Sequence, residues 1–89
     1  MDAIKLKYTK AGMLNKHDAK ELHGVIIEAM QKYEYIYLDL NNSQVSIEFL
    51  QYLFYPLWET FGYDLIIETI KIKDSKILSK IEVIGSVYA

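Results

Sequence analysis

Apolar and polar residues alternate from Ile4 to Tyr8 as Ile, Lys, Leu, Lys, Tyr, the period-two pattern of a strand with one face buried. The period then changes. Ala19, Leu22, Ile26, Ala29 and Tyr33 recur at three- and four-residue steps, with Lys20, Glu21, Glu28, Gln31 and Lys32 on the other side. This spacing predicts an amphipathic helix over 16–32, capped by Asn15, with Asp18 near the positive end of its dipole. Tyr35 to Leu40 is aromatic, β-branched and almost continuously apolar. It reads as a central strand, covered on both faces or on one face with tyrosines on the other.

Asn41 to Gln44 carries loop chemistry, and a second helix is expected near Ser46, whose hydroxyl can cap it. Phe49, Leu50, Leu53, Phe54, Leu57, Trp58 and Phe61 form its apolar stripe. Pro56 interrupts that stripe by removing the bond to the Tyr52 carbonyl, so the helix is kinked or split. The stripe stays in phase across the proline, which favours a kink, and Gly62 is placed to end the helix. Leu65 to Lys73, rich in Ile and Thr, reads as a strand. Beyond it two readings stand: a short helical turn capped by Asp74 or Ser75 and then a strand over Glu82–Tyr88, or a hairpin turning at Asp74-Ser75.

With 89 residues, the chain has room for one domain with one core, about four strands and two or three helices. An apolar share of 52% beside 25% charged residues is that of a folded domain rather than a disordered one. The net charge is −2 and every basic residue is a lysine, so no guanidinium fork is present for phosphate or guanine. Nucleic acid is disfavoured on that ground, with Lys5, Lys7, Lys71 and Lys73 as the cations that keep it open. Without cysteine there are no disulfides, thiolate metal sites or thiol nucleophiles, which fits a cytoplasmic location. No run approaches about 18 apolar residues, so no membrane span is expected, and MDAIKLKYTK does not have the pattern of a secretory leader. Lysine without arginine, beside abundant Ile, Tyr and Asn, points by codon usage to an AT-rich bacterial genome or a mobile element.

The chemistry-bearing residues are sparse. His17 and His23 stand six apart and face different ways, while His17 with Glu21 forms only a weak i, i+4 metal pair, so no metal and no cofactor is expected. Asp39 ends a buried strand beside a loop, where an acid can serve as base or ligand or, more simply, accept hydrogen bonds from Asn41 and Asn42. Glu48 in the first turn of the second helix favours the dipole. There is no Gly-rich phosphate loop, nucleophile elbow or zinc motif, and Ser43 and Ser46 lack a neighbouring base. Seven aromatics lie between Phe49 and Tyr63, more than one face needs, and Tyr52, Tyr55 and Trp58 cannot all be buried on the same face. An exposed remainder would mark a protein interface, with self-association as its simplest form.

Asn15 to Leu22, the run Tyr37-Leu38-Asp39-Leu40, and Ser46-Ile47-Glu48-Phe49 with Leu50 and Leu53 resemble the STAS-like domains, relatives of the bacterial anti-sigma-factor antagonists. The resemblance covers about residues 14–63 and rests on short motifs. It implies a single STAS-like α/β domain over 1–89, with a mixed sheet and helices mainly on one side. It also implies no enzymatic activity and a partner of the kinase-like ATPase or anti-sigma type. The docking residues so implied are Asn41, Asn42, Ser43, Ser46 and Glu48, with Tyr52 and Tyr55 as aromatics. Ser46 is the first candidate phosphoacceptor and Ser43 the second; Ser-Ser-Gly is absent and Glu48 stands near the place of the helix serine. Two other readings remain: a small homodimeric accessory protein of a phage or mobile element that pairs through the aromatic helix, and an enzyme subunit centred on Asp39.

Overall fold

The computed structural model describes residues 2–41 and 43–88. Strand β1 (Ala3–Lys7) leads into helix α1 (Lys16–Met30), strand β2 (Tyr35–Asp39) and helix α2 (Ile47–Phe61). A short helix α3 (Tyr63–Thr69), a three-residue strand β3 (Ile70–Ile72) and helix α4 (Ser75–Tyr88) follow. The strands lie in chain order β1-β2-β3, and both pairings are parallel. The α/β class holds, whereas the mixed sheet of about four strands is corrected to a parallel sheet of three, and the helices number four among the described residues.

The alternation of the strands shows which face is covered. Ile36, Leu38, Ile70 and Ile72 are buried, with Ile4 and Leu6 packed against the same core. Their neighbours Lys5, Tyr37 and Lys71 are exposed. The helices therefore cover one face of the sheet and the described residues leave the other bare. Of the two readings of Tyr35–Leu40, the one with tyrosines on the second face is correct.

Helix α1 opens as its sequence dictates. The Asn15 side chain accepts from the Asp18 N–H at 3.0 Å and Asp18 Oδ2 accepts from the Asn15 N–H at 2.8 Å, a reciprocal cap. Ser46 Oγ caps α2 through the Phe49 N–H at 3.1 Å. Pro56 lies inside α2 with an exposed side chain, and the helix runs through it unbroken, which excludes two separate helices. Gly62, at φ +93°, then turns the chain directly into α3, in a conformation that L side chains rarely adopt.

The carboxyl-terminal third differs most from expectation. The strand over Leu65–Lys73 is only its last part, Ile70–Ile72, and the residues before it form α3. Neither the strand over Glu82–Tyr88 nor the hairpin exists, because Ser75–Tyr88 is one helix. Asp74 Oδ1 caps it, accepting from Lys76 N–H at 2.8 Å and Ile77 N–H at 3.2 Å. Ile77, Ile81 and Ile84 form the buried stripe of α4.

Trp58, 2% exposed, joins these last helices to α2. Its ring centroid lies 4.9 Å from that of Tyr63 in α3 and 5.2 Å from that of Tyr88 in α4. A Cβ at Gly85 would stand 2.8 Å from the Tyr63 hydroxyl, so the absence of a side chain there admits the tyrosine. Restoring the missing donor in α2 should strengthen the fold. Pro56→Ala is expected to stabilise it by about 1–2 kcal/mol, after allowance for the freer unfolded chain. Urea unfolding followed by Trp58 emission measures this, and an unchanged or lower midpoint would mean that packing around the proline ring outweighs the recovered bond.

Candidate functional site at the carboxyl edge of the sheet

Parallel strands deliver their following loops to one edge, the usual position of sites in α/β folds. Here β1 feeds residues 8–15 and β2 feeds residues 40–46, and hydrogen bonds tie the two segments together. The Gln44 N–H donates to the Gly12 carbonyl at 3.0 Å, and the Leu14 N–H donates to the Gln44 carbonyl at 3.0 Å. The Lys10 N–H donates to Ser43 Oγ at 3.0 Å. Beneath them the Lys80 ammonium of α4 donates to the Val45 carbonyl at 2.7 Å. The ridge is held from both sides before anything binds.

Most of the residues expected at the docking surface fall on or beside this ridge. Asn41 is exposed, and its N–H donates to Asp39 Oδ1 at 2.9 Å. Ser43 is half-buried, with its oxygen occupied by Lys10. Ser46 is half-buried as the α2 cap, and Glu48 is exposed in the first turn. Asn42 lies outside the described residues. Tyr52 is exposed farther along α2, with Lys16 Nζ 5.1 Å from its ring centroid.

Tyr55 does not belong to this surface. Its hydroxyl donates to the Ile84 carbonyl at 3.3 Å, and its ring lies 5.2 Å from that of Tyr88. The exposed aromatic patch expected along α2 is thereby reduced: Phe49, Phe54 and Trp58 are core, Tyr55 faces α4, and Tyr52 remains. Two apolar residues at the ridge were not singled out from the sequence. Met13, in a one-residue parallel bridge with Gln44, is 58% exposed, and Ile47 at the start of α2 is 38% exposed.

A polar network that sequence reasoning did not find buttresses the first loop. The Tyr8 hydroxyl donates to Glu21 Oε1 at 2.6 Å, with Asp18 Oδ1 3.3 Å away, and Lys10 Nζ lies 2.7 Å from Asp18 Oδ2. Burial, with the hydrogen bond to Glu21 next, raises the Tyr8 hydroxyl well above the ordinary tyrosine range. The Lys10 ammonium, with the Asn15 N–H next, holds the Asp18 carboxyl below its ordinary value. The signal available in the sequence was Asp18, read there as a dipole partner alone.

The site offers little reaction chemistry. One Asp39 oxygen is taken by the turn it shapes, and Glu21, half of the weak metal pair with His17, accepts from Tyr8. Among the described residues no three His, Asp or Glu side chains stand together as a metal site, and no helix is long and apolar enough to cross a membrane. Comparison with protein-family models, with curated proteins and with solved structures finds no match.

The lowered carboxyl makes stability depend on pH. Asp18 favours the folded state above the unfolded carboxylate range near about pH 4, and this contribution is lost as pH falls through its depressed folded value. The urea midpoint of the native chain is therefore expected to drop between about pH 5 and about pH 2, and that of Asp18→Asn to drop less. Parallel pH profiles for the two chains would remove Asp18 as a source of acid sensitivity.

Proposed function

We propose that the protein is a non-enzymatic interaction module of STAS-like type, which docks a protein partner on the ridge formed by Met13, Asn41, Ser43, Gln44, Ile47 and Glu48. The observation that carries this reading is the double tether of that ridge, which ties Ser43, Gln44 and Val45 to neighbouring segments and leaves two apolar side chains, Met13 and Ile47, facing solvent. Preorganised backbone beside exposed apolar groups limits the ordering cost of association. The partner in this reading is a kinase-like ATPase or an anti-sigma-type regulator.

A charge switch fits the same ridge. A phosphate on Ser46 would sit at the amino end of α2, where the dipole tolerates it, and would place close to two negative charges in the contact. A phosphate on Ser43 would compete for the Lys10 N–H that holds the two loops together. The other readings have less support. Self-association through the aromatic helix finds most of its aromatics already packed inside the chain, and an enzyme centred on Asp39 finds that carboxylate engaged in a turn.

Aspartate is as good a helix cap as serine, so Ser46→Asp adds charge without loss of the fold. In pull-downs from a bacterial lysate, a partner held by the native chain and by Ser46→Ala is expected to be lost, by roughly tenfold or more, with Ser46→Asp. Ser46→Ala itself should cost about 1 kcal/mol of stability in urea unfolding. Equal capture by Ser46→Asp removes the switch, and equal capture by a Met13→Glu, Ile47→Glu double variant removes the ridge as the docking surface.

A further inference from the structure

The face of the sheet opposite the helices carries its own chemistry. Parallel register sets Lys5 of β1 opposite Tyr37 of β2, and Tyr37 opposite Lys71 of β3. At ordinary strand spacing the two lysine backbones are about 10 Å apart with the tyrosine midway. Tyr37 is 48% exposed. Lys7 lies two residues beyond Lys5 on the same face of β1, and Lys73 follows β3. Lys71 Nζ also stands 5.9 Å from the centroid of Tyr35, the second tyrosine on this face. Lys5, Tyr37, Asp39, Asn41, Lys71 and Lys73 line a groove of about 260 Å³ here.

The charges on this face are unevenly committed. Among the described residues none of the four lysines is paired with a carboxylate. The two acids at the groove, Asp39 and Asp74, direct oxygens to backbone N–H groups of Asn41, Lys76 and Ile77. The four lysines outnumber these two carboxylates, so a net negative chain presents one local cationic face with a tyrosine at its centre. Parallel sheets are rarely left uncovered, so a bare face of this composition calls for an occupant. A second copy would set lysine against lysine. A stacked base beside phosphates matches both the ring and the flanking ammonium groups.

We propose that this open sheet face binds single-stranded nucleic acid, with a base stacked on Tyr37 and backbone phosphates paired with Lys5 and Lys71. Its contact residues Lys5, Tyr37 and Lys71 lie outside the protein-docking ridge, which shares only Asn41 with the groove, and failure of either reading leaves the other standing. The absence of arginine limits the face to stacking and point-charge contacts, so low sequence preference goes with it.

Fluorescence anisotropy with labelled oligo-dT and oligo-U of twelve nucleotides tests this, on the full chain at 50 and 200 mM salt. Saturable binding that weakens with salt is expected. Tyr37→Thr, which suits a strand but lacks the ring, should bind roughly tenfold more weakly, while Tyr37→Phe should bind as the native chain does. Lys5→Gln with Lys71→Gln should reduce the slope of log affinity against log salt by roughly 1.4. Buried Trp58 reports the fold of each variant. No binding at 50 mM salt overturns the proposal, and so does unchanged binding by folded Tyr37→Thr. Equal affinity for a duplex or for polyglutamate reduces the face to a charged surface and overturns the stacking role. Equal affinity for a free mononucleotide overturns the strand as ligand.

Discussion

Parallel pairing of three strands in chain order is the constraint on which the rest of the molecule depends. Crossovers between parallel neighbours are right-handed, so two successive ones that step in the same direction place their helices on the same side of the sheet. Helices α1 and α2 accordingly share one face and pack against each other, and α4 joins them against α2 and β3. Every buried strand residue points that way, which leaves the odd-numbered positions Lys5, Tyr37 and Lys71 on the bare side. The same parallelism brings the two long loops to a common edge, where they bond to each other. Core, ridge and open face therefore follow from one topological choice.

Within that frame α2 is the structural centre and not the display surface. It touches α1 and α3 and reaches α4 through Tyr55 and Trp58. An aromatic-rich helix in a small domain can serve the core or a partner, and here the core takes nearly all of it. Its solvent face runs from Ile47 and Glu48 through Tyr52 and Pro56 to Glu59 and Thr60, and only the amino end of that face meets the loop fastened to the segment after β1. Stability and display are thus divided between the two sides of one helix.

The amino-terminal half was legible because its signals are local. Asn15 with Asp18, the three-four spacing through Ala29, the apolar run at Tyr35 and the Ser46 cap each specify their element within a few residues. The carboxyl-terminal third misled because β-branched residues there are helical. Ile66, Ile67 and Thr69 have the composition of a strand, yet the turn at Gly62 and burial of Ile66 place them in α3. Val83, Ile84 and Val87 have the β-branched composition of a strand, while Ile77, Ile81 and Ile84 keep the helical period that prevails once packed on α2. Of the ridge, the loop residues were visible and the tethers were not, since Lys10, Gly12 and Lys80 meet it only in three dimensions. The open face lay in plain view as twin runs, Ile4-Lys5-Leu6-Lys7 and Ile70-Lys71-Ile72-Lys73, but only register brings them to either side of Tyr37.

The topology also governs how the chain can fold. Among the described residues no strand has its ladder partner next to it in sequence: Ala3 finds Tyr35 across all of α1, and Ile36 finds Ile70 across α2 and α3. With no hairpin to start the sheet, each pairing must first close a long segment of chain, at an entropic cost that helix formation nearby does not bear. The helices, whose bonds are local, become the early elements and the sheet a late product of their docking. β3, at three residues, is then the last and least autonomous piece, and it has lasting register only once Ile70 and Ile72 reach the core that the helices have built.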